Sequence, residues 1–171
     1  MSTVPACSRS DDPGTIRTVL DDDMKRVVRE QRLGYVATVC PDGTPNLSPK
    51  GTTAVWDDHH LVFIDIASPG TVTNIEAGDG VVEVNVVDPI RRKGYRFKGS
   101  AEVHREGTVF EDVVQRYETE RGTDRRRIKS VVLVRVERAA PLISPAYADG
   151  SSEATIEQRS LDMYGLMRKP G

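Results

Sequence analysis

The chain has 171 residues, 37% of them hydrophobic and 29% charged, which suits one domain able to bury roughly two-thirds of its unfolded surface and excludes a disordered chain. Its 10 Pro and 14 Gly break it into short elements, which argues against a long helical bundle. Lys and Arg number 24 against 26 Asp and Glu, a net charge of -2, so no large positive field is available to hold a nucleic acid or an anionic membrane.

Residues 1–19 open the chain as a flexible arm rich in Ser, Asp and Pro without apolar periodicity. They contain neither a basic start nor an apolar run of the secretory type, and no later segment is long and apolar enough to span a bilayer. Cys7 and Cys40 could form at most one bridge, and neither belongs to a metal-ligating motif. A soluble protein of the reducing cytoplasm is the expectation.

The first helix is predicted over Asp22–Gln31. Leu20, Met24, Val27 and Val28 recur at helical spacing, and Asp21, Asp22 and Asp23 supply an N-terminal cap and negative charge for the helix dipole. Leu33–Cys40 reads as a strand, Pro41-Asp42-Gly43 as a hairpin turn, and Pro45–Trp56 as one extended return strand. Leu61–Ile66 is almost continuously apolar, which predicts a strand buried on both faces, with Asp65 as its odd member. Ser68-Pro69-Gly70 stops that strand and leads into a short helix over Thr71–Ala77.

Val82, Val84 and Val86 alternate with Glu83 and Asn85 as a fourth strand. A longer fifth strand sends Tyr95, Phe97, Gly99, Ala101 and Val103 one way and Arg96, Lys98, Ser100, Glu102 and His104 the other. Thr108 and Glu111 fit a capping box for a helix whose apolar face is Val109, Phe110, Val113, Val114 and Tyr117, ending at Gly122. Ile128–Val136 supplies the sixth strand. Hairpins first and one helix late predict a mostly β, six-stranded antiparallel barrel with peripheral helices over residues 20–140. Residues 141–171 form an apolar-dotted tail that packs on the barrel or on a dimer partner. No repeat or compositional shift marks a second domain.

Phosphate-loop, dinucleotide, zinc-protease and nucleophile-elbow motifs are absent. His59 and His60 fall in a polar turn and His104 on a polar strand face, so no metal site is expected. Lys50 and the Ser68-Pro69-Gly70-Thr71 turn are more informative. Free N–H groups at a helix start, Ser and Thr hydroxyls and a neighbouring ammonium are the donor types that hold a phosphate. The same residues are also ordinary turn and surface chemistry. Arg96 and Lys98 have two readings, a solvated outer face paired with Glu83 or Glu102, or a second cationic wall for the same anion. Arg91 to Lys93 and Arg125 to Arg127 are denser but lack interleaved aromatics, which ranks nucleic-acid binding last.

The order of these segments resembles the pyridoxamine 5'-phosphate oxidase-like, FMN-binding split-barrel family. The likeness runs from Arg32-Leu33-Gly34-Tyr35-Val36-Ala37-Thr38-Val39 through Asp42-Gly43-Thr44-Pro45-Asn46-Leu47-Ser48-Pro49-Lys50-Gly51. It continues in Leu61-Val62-Phe63-Ile64-Asp65, Asn74-Ile75, Val82 to Val86 and Tyr95 to Ala101, covering most of Gln31 to Val136.

That resemblance implies a split β-barrel of the FMN-binding type, a homodimer with FMN at the subunit interface, and electron or hydride transfer on a small molecule. A deazaflavin coenzyme, or a non-enzymatic flavin sensor or structural dimer, is the alternative. Position by position it implies that Lys50 meets the phosphate or ribityl chain, with Ser48, Pro49 and Gly51 lining the flavin edge. Asp65, Ile66 and Ala67 run along the flavin, Ser68, Gly70 and Thr71 close the phosphate end, and Asn74 stands behind them. Arg96 reaches in from the fifth strand, and Tyr147 resembles the tail aromatic of distant relatives that covers the flavin. No catalytic residue is implied.

The departures define a divergent member. The true oxidases carry a Ser-Arg-Lys phosphate clamp where this chain has Pro69-Gly70-Thr71, and Arg-Gln where it has Lys93-Gly94. The tail lacks their Arg-x-His-rich substrate signature. Pyridoxamine phosphate oxidation is therefore not expected.

Overall fold

The computed structural model describes residues 19–167. Nearly all of the N-terminal arm, with Cys7, lies outside the described residues, as do the last four residues of the tail. The chain runs α1 (Asp22–Gln31), β1 (Gly34–Val39), β2 (Pro45–Lys50), β3 (Ala54–Val55), β4 (His60–Asp65), α2 (Pro69–Ala77), β5 (Val81–Asp88), β6 (Lys93–His104), α3 (Thr108–Arg121), β7 (Ser130–Ile143) and α4 (Glu153–Met167). The strands form one sheet, antiparallel at every pairing, in the order β2-β1-β5-β6-β7-β4-β3.

The sheet has seven strands where the sequence pattern predicts six. The stretch Pro45–Trp56 is not one strand, because the chain turns at Gly51 and Thr52. Thr53 closes that turn, donating from Oγ1 to the Lys50 carbonyl at 2.9 Å. Pro45–Lys50 pairs with β1, whereas Ala54–Val55 pairs with β4. Two segments three residues apart thus occupy opposite edges of the sheet. A flat sheet cannot satisfy that connection; the sheet must coil until its edges approach, as its natural twist favours.

The apolar faces agree with such curling. Val36, Val84, Phe97, Val132, Val134 and Phe63, drawn from five strands, belong to one buried cluster, which Leu20, Val27 and Val28 of the α1 region also join. A second cluster lies on the other face of β4 and β7, where Val62, Ile64 and Val131 meet Phe110, Val113, Val114 and Tyr117 of α3. The double burial expected for the third apolar run thereby finds its cause: β4 has the sheet's interior on one side and α3 on the other. α1 starts as its acidic run predicts, with Asp21 accepting from the Met24 N–H at 2.8 Å.

Local corrections are few. The capping box is not formed: the N-cap of α3 is Gly107, with no side-chain cap, and Glu111 pairs with Arg125 at 2.7 Å. β7 continues through Pro141 to Ile143, because β6 is long enough to pair with it, with an irregularity between Lys98 and Gly99. A β-carbon on Gly99 would stand 1.8 Å from the Arg135 carbonyl oxygen. Only glycine lets the two strands meet there. Among the described residues, no helix is long and apolar enough to cross a membrane.

Candidate functional site

Strand alternation decides which side chains of the β1–β2 hairpin turn inward. Gly34 faces Lys50, Val36 faces Ser48 and Thr38 faces Asn46, and these pairs share the interior side with buried Val36. Gly34 leaves room for Thr53, which closes the turn after Lys50, for a β-carbon there would come within 2.5 Å of the Thr53 hydroxyl. α2 docks against this hairpin by a polar seam. Thr71 and Asn74, one helical turn apart, face it together: Asn74 donates to Thr38 Oγ1 at 3.0 Å, and Asn46 donates to the same oxygen at 3.0 Å.

Lys50 lies at the end of this seam. Its side chain is on the edge strand of the sheet, yet the residue is only 4% exposed. Its Nζ donates to Ser48 Oγ at 2.7 Å and to Thr71 Oγ1 at 2.9 Å, and sits 5.8 Å from the centre of the Phe63 ring. No carboxylate among the described residues forms an ion pair with it. Burial pushes the ammonium below the usual lysine range, and the more distant Asp65 carboxylate pulls it partly back. An ammonium has three donors and two are used here.

Asp65 is equally buried, at 4% exposed, and its Oδ1 accepts the Ser68 N–H at 2.6 Å. Ser68 is the N-cap of α2 but makes no side-chain cap, so the first turn keeps N–H groups without such a partner. Directly opposite Asp65 on β7 is Ser130, 1% exposed, whose hydroxyl has no hydrogen-bond partner. Sequence reading missed Ser130; its place at the head of the valine run of β7 was visible, but its register with Asp65 was not.

The implied residues therefore separate into groups. Ser48, Lys50, Asp65, Ser68, Thr71 and Asn74 are brought together at the join of the hairpin, β4 and α2. Gly51 and Ala67 are exposed on the turns beside them, Gly70 is exposed in the first turn of α2, and Ile66 packs against the α3 cluster. Pro49 stands opposite Tyr35 on the outer side of the sheet. Arg96 shares that outer side, in register with Asn85, and it pairs with Glu83 at 2.8 Å; Lys98 reaches the same carboxylate at 3.1 Å. Within one chain Arg96 does not converge on Lys50. Tyr147 is elsewhere again, its hydroxyl donating to the Arg91 carbonyl at 2.7 Å and its ring centre 5.8 Å from the Lys93 ammonium.

Residues 20–140 match the model of the pyridoxamine 5'-phosphate oxidase family. The chain belongs to that family. Among solved structures, HupZ of Group A Streptococcus is 35% identical, with a TM-score of 0.65, over 72% of this chain and 94% of that one. An FMN-binding protein from Syntrophomonas wolfei subsp. wolfei is 14% identical, with a TM-score of 0.60 over 73% of this chain and 86% of that one. An F420 reductase is 24% identical, with a TM-score of 0.53 over 70% and 98%. At those identities the last two establish the fold, which is the split barrel. No curated protein matches the chain.

As a pyridoxamine 5'-phosphate oxidase-like protein the chain is a divergent one. The N-cap and first residues of α2, which starts at Pro69 and not at Thr71, read Ser68-Pro69-Gly70-Thr71 and carry no cation. Lys50 is the buried positive charge of the seam, and its partners there are hydroxyls.

Proposed function

We propose that this protein binds a flavin-type cofactor, FMN, through its phosphate, and uses it in electron or hydride transfer on a small molecule. One observation carries the reading: Lys50 is buried with hydroxyl partners and no paired carboxylate. A buried ammonium that no carboxylate contacts is costly, and an anion delivered by a ligand relieves that cost. The donor set fits a phosphate: the remaining Lys50 N–H, the Ser48 and Thr71 hydroxyls, and the opening turn of α2. The names of the FMN-binding and F420-reductase neighbours support a cofactor of this class.

A bound flavin supplies the redox chemistry itself. Lys50 and Thr71 would anchor the phosphate, Ser48 would orient the ammonium, and Asn74 would hold α2 against the hairpin so that the donors stay in place. A second copy of the chain would complete the site, bringing Arg96 and Tyr147 to a cofactor they do not reach within one protomer. The protein would thus act as a homodimer, in the cytoplasm, where Cys40 stays a thiol. A deazaflavin coenzyme is the second reading, favoured by the absence of cations over Ser68–Thr71 at the start of α2.

Titration with FMN followed by flavin fluorescence tests the proposal. Saturable binding that K50M abolishes supports it. A protein that stays colourless and gives no thermal shift with FMN or with the deazaflavin coenzyme overturns it, and leaves a cofactor-free dimer. Tight binding without turnover with any reductant favours a sensor.

A further inference from the structure

Asp65 occupies the position from which it can compete with an incoming phosphate. Its carboxylate already accepts the Ser68 N–H at the mouth of α2, a donor that a phosphate oxygen would otherwise use. It is 4% exposed, so its charge is little screened, and it acts on Lys50 through the interior. Arg105 is also within its field, but Arg105 is half exposed and held by both oxygens of Glu76. Asp65 thus opposes the charge of Lys50, and Glu76 that of Arg105, before any ligand arrives. Helix-terminal N–H groups and hydroxyls remain, and these favour an anion without supplying a full positive charge.

We infer that Asp65 is a specificity-determining residue that lowers the charge the site accepts: a singly charged phosphodiester is held at least as well as the doubly charged monoester of FMN. This rests on the Lys50 region being the phosphate anchor proposed above. A monoester carries nearly two negative charges at neutral pH, a diester one. Only the first needs a cation beyond Lys50.

The test compares wild type with D65N, whose side-chain oxygen can still accept the Ser68 N–H. Riboflavin, FMN and a phosphodiester-bearing deazaflavin are titrated by calorimetry. In parallel, inorganic phosphate and dimethyl phosphate are titrated by thermal shift. D65N is expected to tighten FMN about tenfold relative to riboflavin, the effect of removing one nearby charge, and to leave the phosphodiester nearly unchanged. Inorganic phosphate should stabilise D65N more than wild type. A folded D65N that binds FMN no tighter relative to riboflavin overturns the inference. If D65N does not fold, the wild-type ranking decides: parity of FMN and the phosphodiester supports it, and a large preference for FMN overturns it. Loss of all flavin binding with a retained phosphate difference would sink the proposed function but not the role of Asp65; no phosphate response in either protein would sink that role.

Discussion

Lys50 Nζ donates to Thr71 Oγ1 at 2.9 Å, joining two residues 21 positions apart that lie on an edge strand and a helix. Among the described residues β2 pairs with no strand other than β1, and α2 follows β4 near the other edge of the sheet. The bond therefore spans the seam where the coiled sheet meets itself, and it fixes a buried charge at that seam.

Replacing Thr71 by valine keeps the volume and removes one of the two hydroxyls on the ammonium. The expected cost to stability is about 1 kcal/mol, and FMN affinity should fall roughly tenfold as the anchor loses its fixed position. Serine at the same position should restore most of the affinity. Denaturant melts and fluorescence titration of T71V and T71S check both numbers.

Tyr117 supplies a pH dependence. Its hydroxyl donates to the Thr52 carbonyl in the turn that follows Lys50, and burial pushes its pKa from 10.0 to about 12. The folded state keeps this proton after the unfolded chain has lost it. The stabilisation is therefore complete below the unfolded value and disappears as pH rises through the folded one. Wild type should lose stability between about pH 10 and 12, and Y117F should show a shallower decline over that range. Urea melts across it measure the difference.

Gly99 is needed by backbone contact alone. An alanine there would press its β-carbon against the Arg135 carbonyl at 1.8 Å, and neither strand can yield without breaking the β6–β7 ladder. G99A should cost about 3 kcal/mol or more, the upper range for overpacked sites. A low yield of folded protein, or a fall in the urea midpoint of that size, is the expected result. A melt within error of wild type would show that the ladder can shift.

The C-terminal helix is held by charge at its start. Glu153 pairs with Lys93 and, at 3.5 Å, with Arg91, which also approaches Glu157 at 4.0 Å. These groups are exposed, so each pair contributes at most about 1 kcal/mol and weakens in salt. Ile156 and Ser160, buried at 2% and 3% exposed, hold the helix independently. E153Q/E157Q should speed protease cleavage in the 148–152 connection severalfold at low salt, with the gap closing at high salt. Equal rates at low salt would show that the buried contacts alone hold α4.

Much of this protein was decided locally. The acidic run Asp21–Asp23 and the spacing of Leu20, Met24, Val27 and Val28 gave α1 its residues, because capping and amphipathicity act within a few positions. Continuous apolarity marked β4 as doubly buried, and the chemistry of Lys50, Ser68 and Thr71 marked them as candidate donors, of which the structure joins Lys50 to Thr71. The coiling of the sheet decided the rest. Period-two alternation tells which residues share one face of a strand, but not which strands face one another. Splitting Pro45–Trp56 into β2 and β3 depended on a turn at Gly51 and Thr52 that sends the chain to the opposite edge. The same curvature buried Lys50 over Phe63 and put Arg96 on the outer face with Glu83. Register across β4 and β7 set Ser130 against Asp65, and the short path from Asp65 to Ser68 turned a conspicuous strand carboxylate into the acceptor at the start of α2. Sequence alone determined which groups were available and on which side of each element; only tertiary structure determined that the Lys50 and Asp65 charges are both buried, because that depends on how the sheet closes.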